Sequence, residues 1–328
     1  MSVLSDKYVA GFLDGDGSIT VARDKYLWLE FHQKLVNDGV IELISQWLPG
    51  GGLHIRKGKR RGTTTEARRL VYTGQRAVDV LCRLKPYLVT KRSRANRLLR
   101  ELGFTERVGT DSVPVHPTRK WLAGYFDADG CIYSGVNRNG GSASVQFSID
   151  TDGTEKDGIE LVQKAFGGVL RVRGDTGNCW RWELKADAAK TKAFFEFFAQ
   201  HLVLKKEQAY FILGCAEMGH FRDGERIADT LKVMKARPHR LNDLASEVDV
   251  SAELAQVRDL RPAPGVRYQH AVGQTCRCCE SVALYAKGMC RNCWQMKRYY
   301  ATSQPSRRNN VVDPELRMKR QSELVVAA

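Results

Sequence analysis

Asp16 and Asp129 are the residues best placed to do chemistry, because each closes a copy of one unusual phrase. The first copy reads Val9-Ala10-Gly11-Phe12-Leu13-Asp14-Gly15-Asp16-Gly17, and the second reads Leu122-Ala123-Gly124-Tyr125-Phe126-Asp127-Ala128-Asp129-Gly130. Small residues recur four apart in both, Gly11 with Gly15 and Gly124 with Ala128. Two helices with such faces can pack backbone against backbone, which brings Asp16 and Asp129 together. Carboxylates at short range repel unless cations lie between them. Divalent cations held this way can assist hydrolysis of phosphodiesters. Gly17 and Gly130 are expected to end the helices in the left-handed conformation. Asp14 and Asp127 are expected to hold the helix end and its neighbour by hydrogen bonds instead of binding an ion.

The elements that must position these acids are also duplicated. Each phrase is followed by an expected strand (18–23; 131–136) and by a second, alternating one, Leu27-Trp28-Leu29-Glu30-Phe31 against Val145-Gln146-Phe147-Ser148-Ile149. A helix follows with near-identical text, Ile41-Glu42-Leu43-Ile44 against Ile159-Glu160-Leu161-Val162, and stops at Gly50-Gly51-Gly52 or Gly167-Gly168. Further strands are expected at 53–56, 69–72, 169–173 and 180–185, and each copy closes with a helix pair. The joint of that pair reads Leu88-Val89-Thr90-Lys91 in one copy and Leu202-Val203-Leu204-Lys205 in the other. Asp16 to Lys91 is 75 positions and Asp129 to Lys205 is 76, as a tandem duplication requires.

These residues resemble the LAGLIDADG homing endonuclease family over positions 1 to about 220. The resemblance implies an α+β fold of two pseudo-symmetric αββαββα repeats with saddle-shaped antiparallel sheets, residues 1–110 and 111–220. It implies that Asp16 and Asp129, with the backbone carbonyls of Gly15 and Ala128, bind two or more Mg²⁺ ions. Lys91 and Lys205 match the family's lysine before the last helix of each repeat, where an ammonium can stabilise the phosphorane or polarise water; an ordinary helix-end lysine is the alternative. Gln33 matches the family's water-positioning glutamine, with a mere strand-end polar residue as the alternative. Its counterpart by count is Thr151, so the two sites are expected to differ. The activity implied is site-specific cleavage of a long asymmetric duplex across the minor groove, leaving 3′ overhangs, by a monomer. An intron RNA maturase and a transcription regulator built on the same fold are the alternatives; intact acids in both phrases weigh against the regulator.

Charge agrees with a polyanionic partner. The 328-residue chain carries 52 Lys and Arg against 37 Asp and Glu, a net charge of +15. In the strand 27–31, odd positions are expected to face helices and even ones to face outward. Outward side chains that could read bases are Trp28, Glu30, His32, Arg69, Gln146, Ser148, Arg171, Arg173, Arg181 and Lys185. The basic run Arg56, Lys57, Lys59, Arg60 and Arg61 is expected in a hairpin loop against phosphate, or else as a solvated surface. No apolar stretch reads as a signal peptide or membrane span. With Cys82, Cys131, Cys179 and Cys215 scattered, a reducing compartment is expected: cytoplasm, nucleoid or an organellar matrix, not secretion.

The C-terminal third is different. Residues 225–262 read as three short helices, near 229–235, 241–248 and 251–260, with the shape of a helix-turn-helix or of a plain bundle. A Pro-rich linker then leads to Cys276, Cys279, Cys290 and Cys293, two CxxC pairs that fit a structural tetrahedral Zn²⁺ site at 270–300. Arg291, Lys297 and Arg298 flank it and suit phosphate. Residues 301–328 are expected to be a disordered tail.

Overall fold

The computed structural model describes residues 4–22, 26–60, 63–109, 112, 114–136, 143–152, 156–173, 179–218, 224–239, 244, 248–258, 284–286 and 289–290. Met1–Asp259 form one compact unit and Leu260–Ala328 a second.

The first unit opens with α1 (Asp6–Asp14), capped by the Ser5 side chain, which accepts from the Tyr8 amide at 3.3 Å. Then come β1 (Gly17–Val21), β2 (Leu27–Lys34), α2 (Gly39–Trp47), β3 (Gly52–Arg60), β4 (Thr63–Thr73), α3 (Gly74–Leu84) and α4 (Arg92–Glu101). The series repeats as α5 (Arg119–Asp129), β5 (Gly130–Val136), β6 (Ala143–Asp152), α6 (Asp157–Phe166), β7 (Val169–Arg173), β8 (Cys179–Ala186), α7 (Ala188–Phe198) and α8 (Lys206–Glu217). Thr118 caps α5 as Ser5 caps α1. Each repeat is therefore αββαββαα, one helix more than αββαββα. The strand orders are equivalent, β1-β2-β4-β3 and β5-β6-β8-β7, and every ladder is antiparallel.

Alternation decides which face each sheet buries. Leu27, Leu29 and Phe31 lie in the core with Ile19, Leu70 and Tyr72, as the odd positions of β2 predict. Phe147, Ile149, Trp182 and Leu184 do the same in the second sheet. The cores differ in kind. The second is aromatic, with Phe126, Phe147, Phe194, Phe195 and Phe198 at ring separations between 4.8 and 5.9 Å.

Two further expectations need correction. The segment holding Arg56, Lys57, Lys59 and Arg60 is strand, not loop, because β3 and β4 pair out to Arg60 opposite Thr63. Arg61 and the side chains of Lys59 and Arg60 lie outside the described residues. Gly17 and Gly130 are not left-handed; Gly130 has φ −71° and ψ 149°. What excludes a side chain there is space: a Cβ would lie 2.6 Å from the Leu13 carbonyl oxygen at Gly17 and 2.4 Å from that of Phe126 at Gly130.

Beyond the repeats, α9 (Gly224–Ala236) and α10 (Ser251–Arg258) belong to the same compact unit. Helix α9 begins five residues before the expected 229, packs along β5 and touches α8; α10 packs on α8 and α9. Of the expected helix at 241–248, only Leu244 and Val248 are described. In the second unit, β9 (Leu284–Ala286) and β10 (Met289–Cys290) pair antiparallel. Cys276, Cys279, Cys293, Arg291, Lys297, Arg298, the Cys290 side chain and residues 301–328 lie outside the described residues. No helix among the described residues is long and apolar enough to cross a membrane.

Candidate active site

Helices α1 and α5 meet along their small residues. A Cβ at Gly11 would stand 2.0 Å from the Trp121 carbonyl oxygen, and one at Gly124 would stand 2.0 Å from that of Tyr8. At the lower end of the seam, a Cβ at Gly15 would meet the Ala128 Cβ at 2.4 Å and Asp129 Oδ2 at 3.2 Å. Asp129 therefore lies against the residue that precedes Asp16. Both acids are half-buried and both act electrostatically on the Lys205 ammonium.

The first acid of each phrase builds the seam. Asp14 accepts from the backbone amides of Val89 (2.7 Å) and Lys91 (2.8 Å), and from Trp121 Nε1 of the other repeat (2.8 Å). Asp127 accepts from the amides of Val203 (2.6 Å) and Lys205 (2.8 Å), and from the Tyr8 hydroxyl of the other repeat (2.8 Å). Each carboxylate thus ties its own helix-pair joint to the partner helix, as the hydrogen-bonding role expected for Asp14 and Asp127 requires. Burial raises the pKa of both, opposed by Lys91 for Asp14 and by Lys205 for Asp127.

The two lysines are held at helix ends. Lys91 Nζ donates to the carbonyls of Leu13 (2.9 Å), Asp14 and Gly15 (3.0 Å). Lys205 Nζ donates to the Asp127 carbonyl. An ammonium at the C-terminal end of a helix satisfies orphan carbonyls and complements the dipole. Burial lowers the Lys205 pKa, while Asp127, Asp16 and Asp129 pull it back up.

The two halves differ at the position of Gln33. Gln33 Nε2 donates to Asp16 Oδ2 at 2.8 Å. The ladders put Gln33 and Thr151 at equivalent positions, since Phe31 faces Gly17 as Ile149 faces Gly130. Burial raises the Asp16 pKa, against His32, Lys205, the Gln33 hydrogen bond and Lys91.

The donor set is hard oxygen: two carboxylates with the Gly15 and Ala128 carbonyls, of which the Gly15 oxygen also accepts from Lys91 Nζ. That set fits Mg²⁺. No cluster of three or more His, Cys, Asp or Glu gathers as metal ligands among the described residues.

Register places most of the expected DNA-facing residues on one open face of each sheet. Trp28, Glu30, His32, Arg56 and Arg69 share it in the first sheet; Gln146, Ser148, Arg171, Arg173, Arg181 and Lys185 share it in the second. Lys57 falls on the opposite face, paired to Glu66 at 3.2 Å. Ion pairs organise these surfaces. Glu30 is buried and grips the Arg69 guanidinium with both oxygens; burial opposes its ionisation, but Arg69 holds its carboxyl below the usual range. Asp150 binds both Arg173 and Arg181, and Glu183 lies 3.2 Å from Arg171. Ser148 is buried. His54, Tyr133, Asp150 and Glu183 share the open faces without having been expected there; strand alternation applied to the true register would have found them.

Residues 122–217 match the model of the LAGLIDADG endonuclease family. On this match the chain is an endonuclease with the LAGLIDADG fold, and the second repeat carries the sequence signature. No curated protein matches the chain. Among solved structures, LAGLIDADG meganuclease I-AabMI bound to uncleaved DNA is 16% identical, with 71% of this chain and 98% of that chain covered and a TM-score of 0.50. LAGLIDADG meganuclease I-CpaMI bound to uncleaved DNA is 12% identical, with 71% and 98% covered and a TM-score of 0.52. LAGLIDADG homing endonuclease I-GzeII in complex with its DNA target is 12% identical, with 71% and 97% covered and a TM-score of 0.51. At these identities the likeness is one of fold.

Proposed function

We propose that this endonuclease cuts both strands of a long, asymmetric DNA site as a monomer, with Asp16 and Asp129 serving one strand each. The observation that carries this reading is the placement of both acids at one end of the glycine seam, beside two sheets with open polar faces. The solved structures named above include proteins bound to DNA, which supports duplex DNA as the partner.

Asp16 and Asp129 hold divalent ions, with the Gly15 and Ala128 carbonyls adding oxygen donors. Bound Mg²⁺ supplies an activated water and neutralises charge on the scissile phosphates. Gln33 fixes the Asp16 carboxylate through its amide and so orients the first site. Lys205, partly desolvated, faces the phosphates with its charge, and Lys91 holds the end of α1 in place. Arg56, His32, Arg69, Arg171, Arg173, Arg181 and Lys185 meet DNA from the open faces; cleavage across the minor groove with 3′ overhangs belongs to the same reading. The second unit adds Zn²⁺-ordered DNA contacts through Cys276, Cys279, Cys290 and Cys293, with Arg291, Lys297 and Arg298 on phosphate.

The test is a duplex recovered from a randomised library by cycles of binding to wild-type protein, then incubated with Mg²⁺. Wild type is expected to break both strands, and Asp16→Asn to abolish the double-strand break while binding persists. Tight binding with no break by wild type overturns the nuclease in favour of a regulator.

A further inference from the structure

Helix α9 lies outside the duplicated repeats, yet its end reaches the second catalytic half. Lys235 Nζ lies 3.6 Å from Cys131 Sγ and donates to the Ile132 carbonyl. Cys131 stands two residues beyond Asp129, on the open face of β5 and opposite Ser148 in the ladder. It is exposed and also lies within electrostatic reach of the Lys205 ammonium. Two lysines from different parts of the chain thus flank one exposed strand residue next to the motif acid.

The position of Lys235 is fixed from both sides. Helix α9 packs along β5 and touches β6. Two residues after Lys235, Arg237 pairs with Glu253 of α10 at 2.6 Å and with Glu207 of α8 at 3.4 Å. Next, His239 makes two backbone hydrogen bonds to the first repeat, its amide to the Val36 carbonyl (2.9 Å) and its carbonyl from the Gly39 amide (3.2 Å). Val36 lies three residues beyond Gln33. The segment 235–239 therefore bridges the two repeats, from the strand after the second motif to the turn after β2. At the place in the first sheet that corresponds to Cys131 stands Ser18, opposite the ion-paired Glu30.

We propose that Lys235 is a DNA-positioning residue of the second half alone, contacting a backbone phosphate beside the bond that Asp129 serves. The side chain is exposed, and an ammonium on a flexible stem acts on phosphate as a point charge. The arrangement makes the two halves unequal in a way the repeats do not encode. This rests on the DNA-endonuclease reading above.

The experiment uses full-length protein and the selected duplex, with each strand labelled separately, comparing wild type, Lys235→Ala, Lys235→Met and Lys235→Arg. Lys235→Ala is expected to slow one strand about tenfold relative to the other, and Lys235→Arg to restore the wild-type ratio. The slope of log affinity against log salt should fall by about 0.9 in Lys235→Ala, the loss of one phosphate contact. Lys235→Met keeps the apolar stem and should behave as Lys235→Ala does, at an unchanged melting temperature. An unchanged strand ratio and salt slope would overturn the proposal and leave Lys235 as a clamp on the sheet edge. Equal slowing of both strands with a lowered melting temperature would overturn it as well. If wild type cuts neither strand, the endonuclease reading on DNA falls first and takes this proposal with it.

Discussion

Two hydrogen bonds decide how the halves are held: Tyr8 to Asp127 and Trp121 to Asp14. Each donor comes from the opposite helix and each acceptor is a buried carboxylate that also takes two backbone amides. Removing the donor leaves that carboxylate with fewer partners in a dry site, where hydrogen bonds to charged groups matter most. Tyr8→Phe should therefore lose about 2 kcal/mol of stability, measured by denaturant unfolding, while leaving Asp16 and Asp129 in place. A variant as stable as wild type would remove the Tyr8 bond from the account of the seam.

Along α1 and α5 the decisive feature is the absence of side chains. At Gly124 an added methyl would meet a backbone oxygen at 2.0 Å, and neither helix can retreat without losing the whole interface. Gly124→Ala is expected to cost roughly 3 kcal/mol or more, read as a fall in melting temperature. Gly15→Ala differs, since its added methyl presses on the Ala128 side chain and on the Asp129 carboxylate. Its first effect should be on cleavage rate, with a smaller loss of stability than Gly124→Ala; the reverse order would contradict the geometry.

Across the molecule, the compact unit ends at Asp259 and the cysteine pairs lie beyond it. A protein truncated after Asp259 should keep its melting temperature and its ability to cut, and should bind DNA more weakly with a shallower salt dependence. Full-length protein should carry a single zinc, measured by elemental analysis, and Cys276→Ser should lose it. Zinc-free full-length protein with normal DNA affinity would dismiss the zinc reading.

How much was legible beforehand varied with how local the cause is. The order of strands and helices could be read because hydrophobic alternation and duplicated text are local signals, and the offset between Asp16 and Lys91 recurred between Asp129 and Lys205. The sequence predicts too short a hairpin β3–β4, because pairing with Thr63–Thr73 extends a polar, basic stretch that has no apolar alternation of its own. Residue type alone suggests a left-handed backbone at the glycines after each motif, but the cause is a carbonyl four residues back in the helix, visible only once the chain turns into β1 or β5. Glu30 looked outward by its place in β2, and it does face that way, yet it is buried under Arg69, a partner 39 residues distant.

The sequence by itself determined the duplication, the two acids and the glycine faces, because each is written in residue type and spacing. Tertiary structure alone decided that Asp14 and Asp127 lock the halves crosswise through Trp121 and Tyr8, that Asp150 and Glu183 organise the arginines, and that α9 delivers Lys235 beside Cys131. Each of these joins residues far apart in the chain, and such distances close only when packed helices and sheets fix one geometry.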